Sequence, residues 1–108
     1  MGKLIRDCVP ETIRAAGGFI ETRRLGDDEY RRALREKVVE EAGEVASAGS
    51  RAEMIEELGD LLETVRALAT HERIALADIE LAAAQKRREY GGFEGRTFSV
   101  SFEPPPQG

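Results

Sequence analysis

Apolar side chains first recur with a helical beat at Leu34, Val38 and Val45, and again at Met54, Leu58, Leu61, Leu62, Val65 and Ala69. Spacings of three and four residues put each set on one face of an α-helix. The punctuation between them sets the ends. Gly26-Asp27-Asp28 offers an N-cap and first-turn acids, predicting a long helix from Asp27 to about Ala48 that Gly49 stops. Ser50-Arg51-Ala52-Glu53 reads as a capping box: the serine hydroxyl takes the amide of Glu53, and Glu53 reaches back to the serine amide. That predicts a second long helix to about His71.

Shorter elements flank the pair. Val9-Pro10-Glu11-Thr12-Ile13-Arg14 opens a brief helix, since proline is tolerated in a first turn, and Gly17-Gly18 ends it. Phe19 to Leu25 reads as irregular or extended. A fourth helix is expected from Leu76 to Tyr90, before Gly91-Gly92. Thr97 to Phe102 alternates polar and apolar residues, which suggests a short strand or an extended clasp, and the proline-rich end reads as a solvated tail. The expected fold is therefore all-α, an antiparallel bundle of about four helices with a short extended C-terminal segment. One domain is expected over 1–98, with 99–108 as extended segment and tail. Tyr30, Tyr90, Phe93 and Phe98 are expected to pack the core, and His71 to face the dipole at a helix C-terminus.

At 108 residues with 41% hydrophobic content, the chain has material for one modest core. No apolar run approaches the roughly 20 residues of a membrane span, and the start lacks the apolar block of a signal peptide, so a cytoplasmic protein is expected. The lone Cys8 excludes an intrachain disulfide and a thiolate cage. A net charge of -5 argues against general nucleic-acid binding, while leaving room for a local phosphate site.

The chemistry lies in a repeat. Lys37-Val38-Val39-Glu40-Glu41-Ala42-Gly43-Glu44-Val45 is echoed by Glu53-Met54-Ile55-Glu56-Glu57-Leu58-Gly59-Asp60-Leu61, with apolar, acidic and glycine positions matching after the first residue. The short turn at Gly49 makes the two helices an antiparallel hairpin, which sets Glu41 level with Asp60 and Glu44 level with Glu57. Glu41 falls on the Leu34–Val38–Val45 stripe, where an ionised carboxylate costs several kcal/mol unless a cation compensates it. Like charges about 6 Å apart repel by about 3 kcal/mol per pair at an effective dielectric of about 20, so four together call for a counter-ion. Oxygen donors without histidine or cysteine suit Mg²⁺ or Mn²⁺. The competing reading is a solvated acidic face, common on helices. Gly43 and Gly59, mid-helix between the acids, suggest either a close approach to the backbone or tight helix packing. Lys3, Arg6, Lys37 and Lys86 are candidates for phosphate contacts, their ordinary alternative being salt-bridge partners.

These residues resemble the all-α nucleoside-triphosphate pyrophosphohydrolase superfamily in its MazG-like and phosphoribosyl-ATP pyrophosphohydrolase-like branch. The resemblance rests on Lys3-Leu4-Ile5-Arg6-Asp7 with Pro10-Glu11, on Glu40-Glu41-x-x-Glu44 and Glu57-x-x-Asp60, and on Lys86 followed by Gly91-Gly92-Phe93. It implies Mg²⁺ held by Glu41, Glu44, Glu57 and Asp60, and hydrolysis of a nucleotide between its α and β phosphates by a water that Glu41 or Glu44 activates. It also implies a homodimer or higher homo-oligomer. Cys8 stands where the N-terminal motif commonly carries a lysine. Two alternatives are phosphoribosyl-ATP hydrolysis on the same metal site and a non-catalytic helical adaptor that docks a basic partner on its acids.

Overall fold

The structure is a computed structural model that describes residues 2–107. Four helices follow in order, α1 (Val9–Ala15), α2 (Asp27–Ser47), α3 (Arg51–His71) and α4 (Leu76–Tyr90), and the described residues hold no strand. The all-α expectation is met, and the helix ends fall where the caps put them. Among the described residues, no helix is long and apolar enough to cross a membrane. The chain divides into two units, Met1–Leu76 and Ala77–Gly108. Most of α4 thus belongs to the C-terminal unit.

In the first unit α2 and α3 pack along one another as the hairpin. The turn is held by Ser50, whose Oγ accepts the Glu53 amide at 3.1 Å. The other half of the box differs from expectation, because Glu53 Oε2 accepts the amide of Gly49 at 2.9 Å and not that of Ser50. The carboxylate reaches one residue further back and ties the linker itself to α3.

The buried face of α2 is the predicted stripe: Leu34 is 1% exposed and Glu41 8%, with Val38 and Val45 partly covered. On α3 the packing departs from the hydrophobic pattern. Leu61, Val65 and Ala69 are covered, but Met54, Leu58 and Leu62 face solvent, while Glu57, Asp60 and Thr64 turn inward. The helix is rotated so that its acidic flank meets α2. Thr64 is buried because its hydroxyl donates to the Asp60 carbonyl at 2.9 Å, which removes the cost of an unpaired polar group. Gly43 and Gly59 have open space where a side chain would sit, so neither a close contact nor tight packing accounts for them among the described residues.

Two helices end on the same motif with different residues. After α1, Gly17 at φ 87° donates to Arg14 O at 3.0 Å and Gly18 to Ile13 O at 2.9 Å, the paired bonds of a Schellman cap. After α3, Arg73 at φ 57° donates to Thr70 O at 3.1 Å and Ile74 to Ala69 O at 2.8 Å. The left-handed region costs a non-glycine residue roughly 1–2 kcal/mol, and glycine's extra chain entropy returns about half of that. Arg73→Gly is accordingly expected to stabilise the fold by about 0.5–1 kcal/mol, read from the urea midpoint. A lower midpoint would mean that the arginine side chain holds the cap in some other way.

In the C-terminal unit, Gly91 at φ 85° closes α4, and Arg87 pairs with Glu94 in the turn beyond it. Tyr90, Phe93 and Phe98 do not pack a core: Phe93 is 97% exposed, and Tyr90 and Phe98 lie largely in solvent. Of the four aromatics expected inside, Tyr30 alone is partly covered. Residues 97–102 form no strand and bend at Val100, and the described residues offer no sheet edge to receive them. Phe98, Val100 and Phe102 consequently stay exposed.

Candidate metal and phosphate site

The rotation of α3 gathers the acids. One carboxylate oxygen each from Glu41, Glu57 and Asp60 lies within 4.8 Å of the other two. Glu41 comes from the apolar stripe of α2, and Glu57 and Asp60 sit one turn apart on the inward flank of α3. Glu44, the fourth acid of the repeat, is exposed and lies outside this set. Its charge still reaches the site: removal from solvent, then the charges of Asp60, Glu44 and Glu41, push the Glu57 carboxyl above its ordinary value.

Bases stand against this acidic group. Lys37 Nζ lies 3.2 Å from Glu41 Oε1 and 3.5 Å from Glu40 Oε1. Arg6 donates to Asp60 Oδ1 at 2.8 Å, and Lys3 lies 3.4 Å from Glu40. Three of the four predicted phosphate contacts are thus salt-bridge partners of the acids here. They nonetheless bring three positive charges to the rim of the site, where a polyphosphate would need them. Burial alone would raise the Glu40 carboxyl, but the charge of Lys37 and a hydrogen bond from Lys3 outweigh it and hold Glu40 below its ordinary value. Lys37 and Glu41 form the most enclosed of these pairs, with side chains 18% and 10% exposed. Their pairing answers part of the charge-burial problem that the stripe position of Glu41 posed. Lys86 lies exposed on α4, in the C-terminal unit, and makes no ion pair among the described residues.

The donor set is chemically narrow. Three carboxylate oxygens with no nitrogen or sulfur suit a small hard cation, and the nearby ammonium and guanidinium groups suit the anionic oxygens of a ligand held by it. A spacing of four residues on α2 makes the Lys37–Glu41 pair legible in the sequence. The Arg6–Asp60 pair, bridging 54 positions, has no local signal.

Comparison with known proteins bears on the family of the chain. A protein of Mycolicibacterium smegmatis, named only as uncharacterized, is 47% identical over 51 residues, which cover 47% of this chain and 52% of that protein. The chain thus spans about half the length of the curated relative it matches. No solved structure matches it. Residues 30–89, more than half the chain and inclusive of every acid in the site, match the MazG nucleotide pyrophosphohydrolase domain. With Glu41, Glu57 and Asp60 all inside that span, the chain belongs to the MazG nucleotide pyrophosphohydrolase family.

Proposed function

We propose that the protein is a Mg²⁺-dependent hydrolase that cleaves a nucleoside triphosphate to the monophosphate and pyrophosphate. The observation that carries this reading is the convergence of Glu41, Glu57 and Asp60 oxygens within 4.8 Å, in a chain of this family. Their all-oxygen chemistry fits Mg²⁺, with Mn²⁺ as a substitute. Glu41, Glu57 and Asp60 would hold the ion with help from Glu44, and its positive charge would offset the charge that develops on the phosphoryl group.

The chain's own residues supply the rest. Arg6, Lys3 and Lys37 exchange their carboxylate partners for phosphate oxygens as the nucleotide enters, which keeps the bound polyphosphate balanced and in place. A water attacks phosphorus in line with the bond between the α and β phosphates. Its proton passes to a carboxylate, and pyrophosphate leaves. Of Glu41 and Glu44, Glu44 suits that base role better, because Glu41 is paired with Lys37 while Glu44 is exposed and makes no ion pair among the described residues. An adaptor that docks a basic partner is disfavoured by Glu41 itself, since a docking surface keeps its acids in solvent.

The test is pyrophosphate release from a panel of ordinary and modified nucleoside triphosphates and phosphoribosyl-ATP, with Mg²⁺ and with chelator. Metal-dependent release from a triphosphate supports the proposal. Release from phosphoribosyl-ATP alone would transfer it to that substrate, and no release from any would overturn it.

A second expectation concerns stability. Loss of solvent, and then the charges of Asp60, Glu44 and Glu41, push the Glu57 carboxyl up, so its charge opposes folding while no cation is bound. Glu57→Gln is expected to raise the melting temperature of the chelator-treated protein and to shrink the further rise that Mg²⁺ gives. If the variant instead melts lower without metal, repulsion does not govern the site.

Assembly is the last part of the proposal: the chain works as a homodimer through the face of α3 that the hairpin leaves uncovered. Met54, Ile55, Leu58 and Leu62 lie on or beside that face and are exposed, Ile55 to 62%. Sedimentation equilibrium is expected to give twice the 11.9 kDa chain mass. A monomer at micromolar concentration would refute this.

A further inference from the structure

Where α2 begins and α3 ends, the hairpin opens a cleft of about 690 Å³, lined by Tyr30, Arg31, Arg66, Thr70, His71 and Arg73, among others. It is set apart from the carboxylates. Arg66 lies about 9 Å of helix axis beyond Asp60, and Tyr30 about 16 Å before Glu41. Its charges are unevenly used. Arg31 is held by Glu72 at 2.7 Å, whereas Arg66 and Arg73 make no ion pair or hydrogen bond through their guanidinium groups among the described residues. Asp27 and Glu63 also line the cleft, so it is not a plain basic patch.

Two further observations single it out. Arg73 occupies the left-handed position of the α3 cap, at φ 57°, where α1 uses glycine. Strain held at a functional residue is a known pattern, and Arg73 is one of the residues that line the cleft. His71 meets the Tyr30 ring edge-on at 4.9 Å, and its Nε2 is enclosed with no partner in the protein.

We propose that this cleft binds a phosphate monoester of a small polar molecule. Two unpaired guanidinium forks match the oxygens of a phosphoryl dianion, and the Thr70 hydroxyl adds a third donor. The volume falls in the range of small-molecule sites and far exceeds what an inorganic phosphate ion fills. Asp27 and Glu63 accept from hydroxyl groups on the ligand's organic part, and the Tyr30 ring offers that part an apolar wall.

The experiment uses the full chain in chelator at constant ionic strength, so it is independent of the hydrolase proposal. Amide resonances are followed by NMR while ribose 5-phosphate, or inorganic phosphate, is added. Saturable shifts centred on residues 66–73 are expected, with ribose 5-phosphate binding about tenfold more tightly than the inorganic ion. Arg66→Gln and Arg73→Gly should each weaken it by about tenfold, and Arg73→Gly keeps the helix cap, so loss of binding is not loss of fold. Shifts that never saturate, that centre on residues 37–60, or that are unchanged in both variants would overturn the site. Equal affinity for the two probes would overturn its assignment to an ester.

Discussion

Glu41→Gln is expected to lower Mg²⁺-dependent pyrophosphate release by at least about a hundredfold while leaving the helical content unchanged. Groups that merely orient metal ligands cost about 10–100-fold when removed, so loss of a ligand should exceed that range. The substitution is nearly isosteric, which matters because Glu41 is only 8% exposed. The amide oxygen still accepts from Lys37, and Lys37 keeps Glu40 nearby, so no buried charge is stranded. What disappears is the negative charge at the meeting point of α2 and α3. Glu36→Gln, on the exposed side of the same helix, is the control expected to keep full activity. A Glu41→Gln enzyme with more than about a tenth of wild-type turnover would mean that the carboxylates do not form the working site.

The largest stability effect should come from Leu34. It is the most deeply buried large side chain among the described residues, at 1% exposure, and it anchors the stripe that carries Lys37 and Glu41. Truncating a buried leucine costs about 2–5 kcal/mol, the spread depending on how far the surroundings collapse into the gap. A two-helix core collapses readily, so Leu34→Ala should cost about 2–3 kcal/mol, measured by urea denaturation. Leu62→Ala, at 51% exposure, should cost less than about 1 kcal/mol in dilute protein. Equal losses at the two positions would place the core elsewhere.

How much was legible in the sequence follows from these same residues. Helix ends were readable because glycine, proline and the Ser50 cap act locally. The stripe on α2 was readable because its apolar residues share one face, and Glu41 stood out as the charge within it. On α3 the pattern misled: it put Met54, Leu58 and Leu62 inside, but packing against α2 drew in Glu57, Asp60 and Thr64. Rotation of one helix against another depends on both surfaces at once, which periodicity along one of them does not contain. The same limit hid the separation of Glu44 from its three companions. The cleft at the far end of the hairpin had no motif, because its arginines come from different turns and one owes its place to an unfavourable backbone angle.

The pairing of Lys3 and Arg6 with the acids has a practical side. A polyhistidine tag placed directly ahead of Lys3 would set metal-chelating imidazoles beside residues that pair with these carboxylates. Purification by such a tag would load the preparation with nickel or alter its apparent metal requirement, so the leader should be cleaved before any metal titration is interpreted.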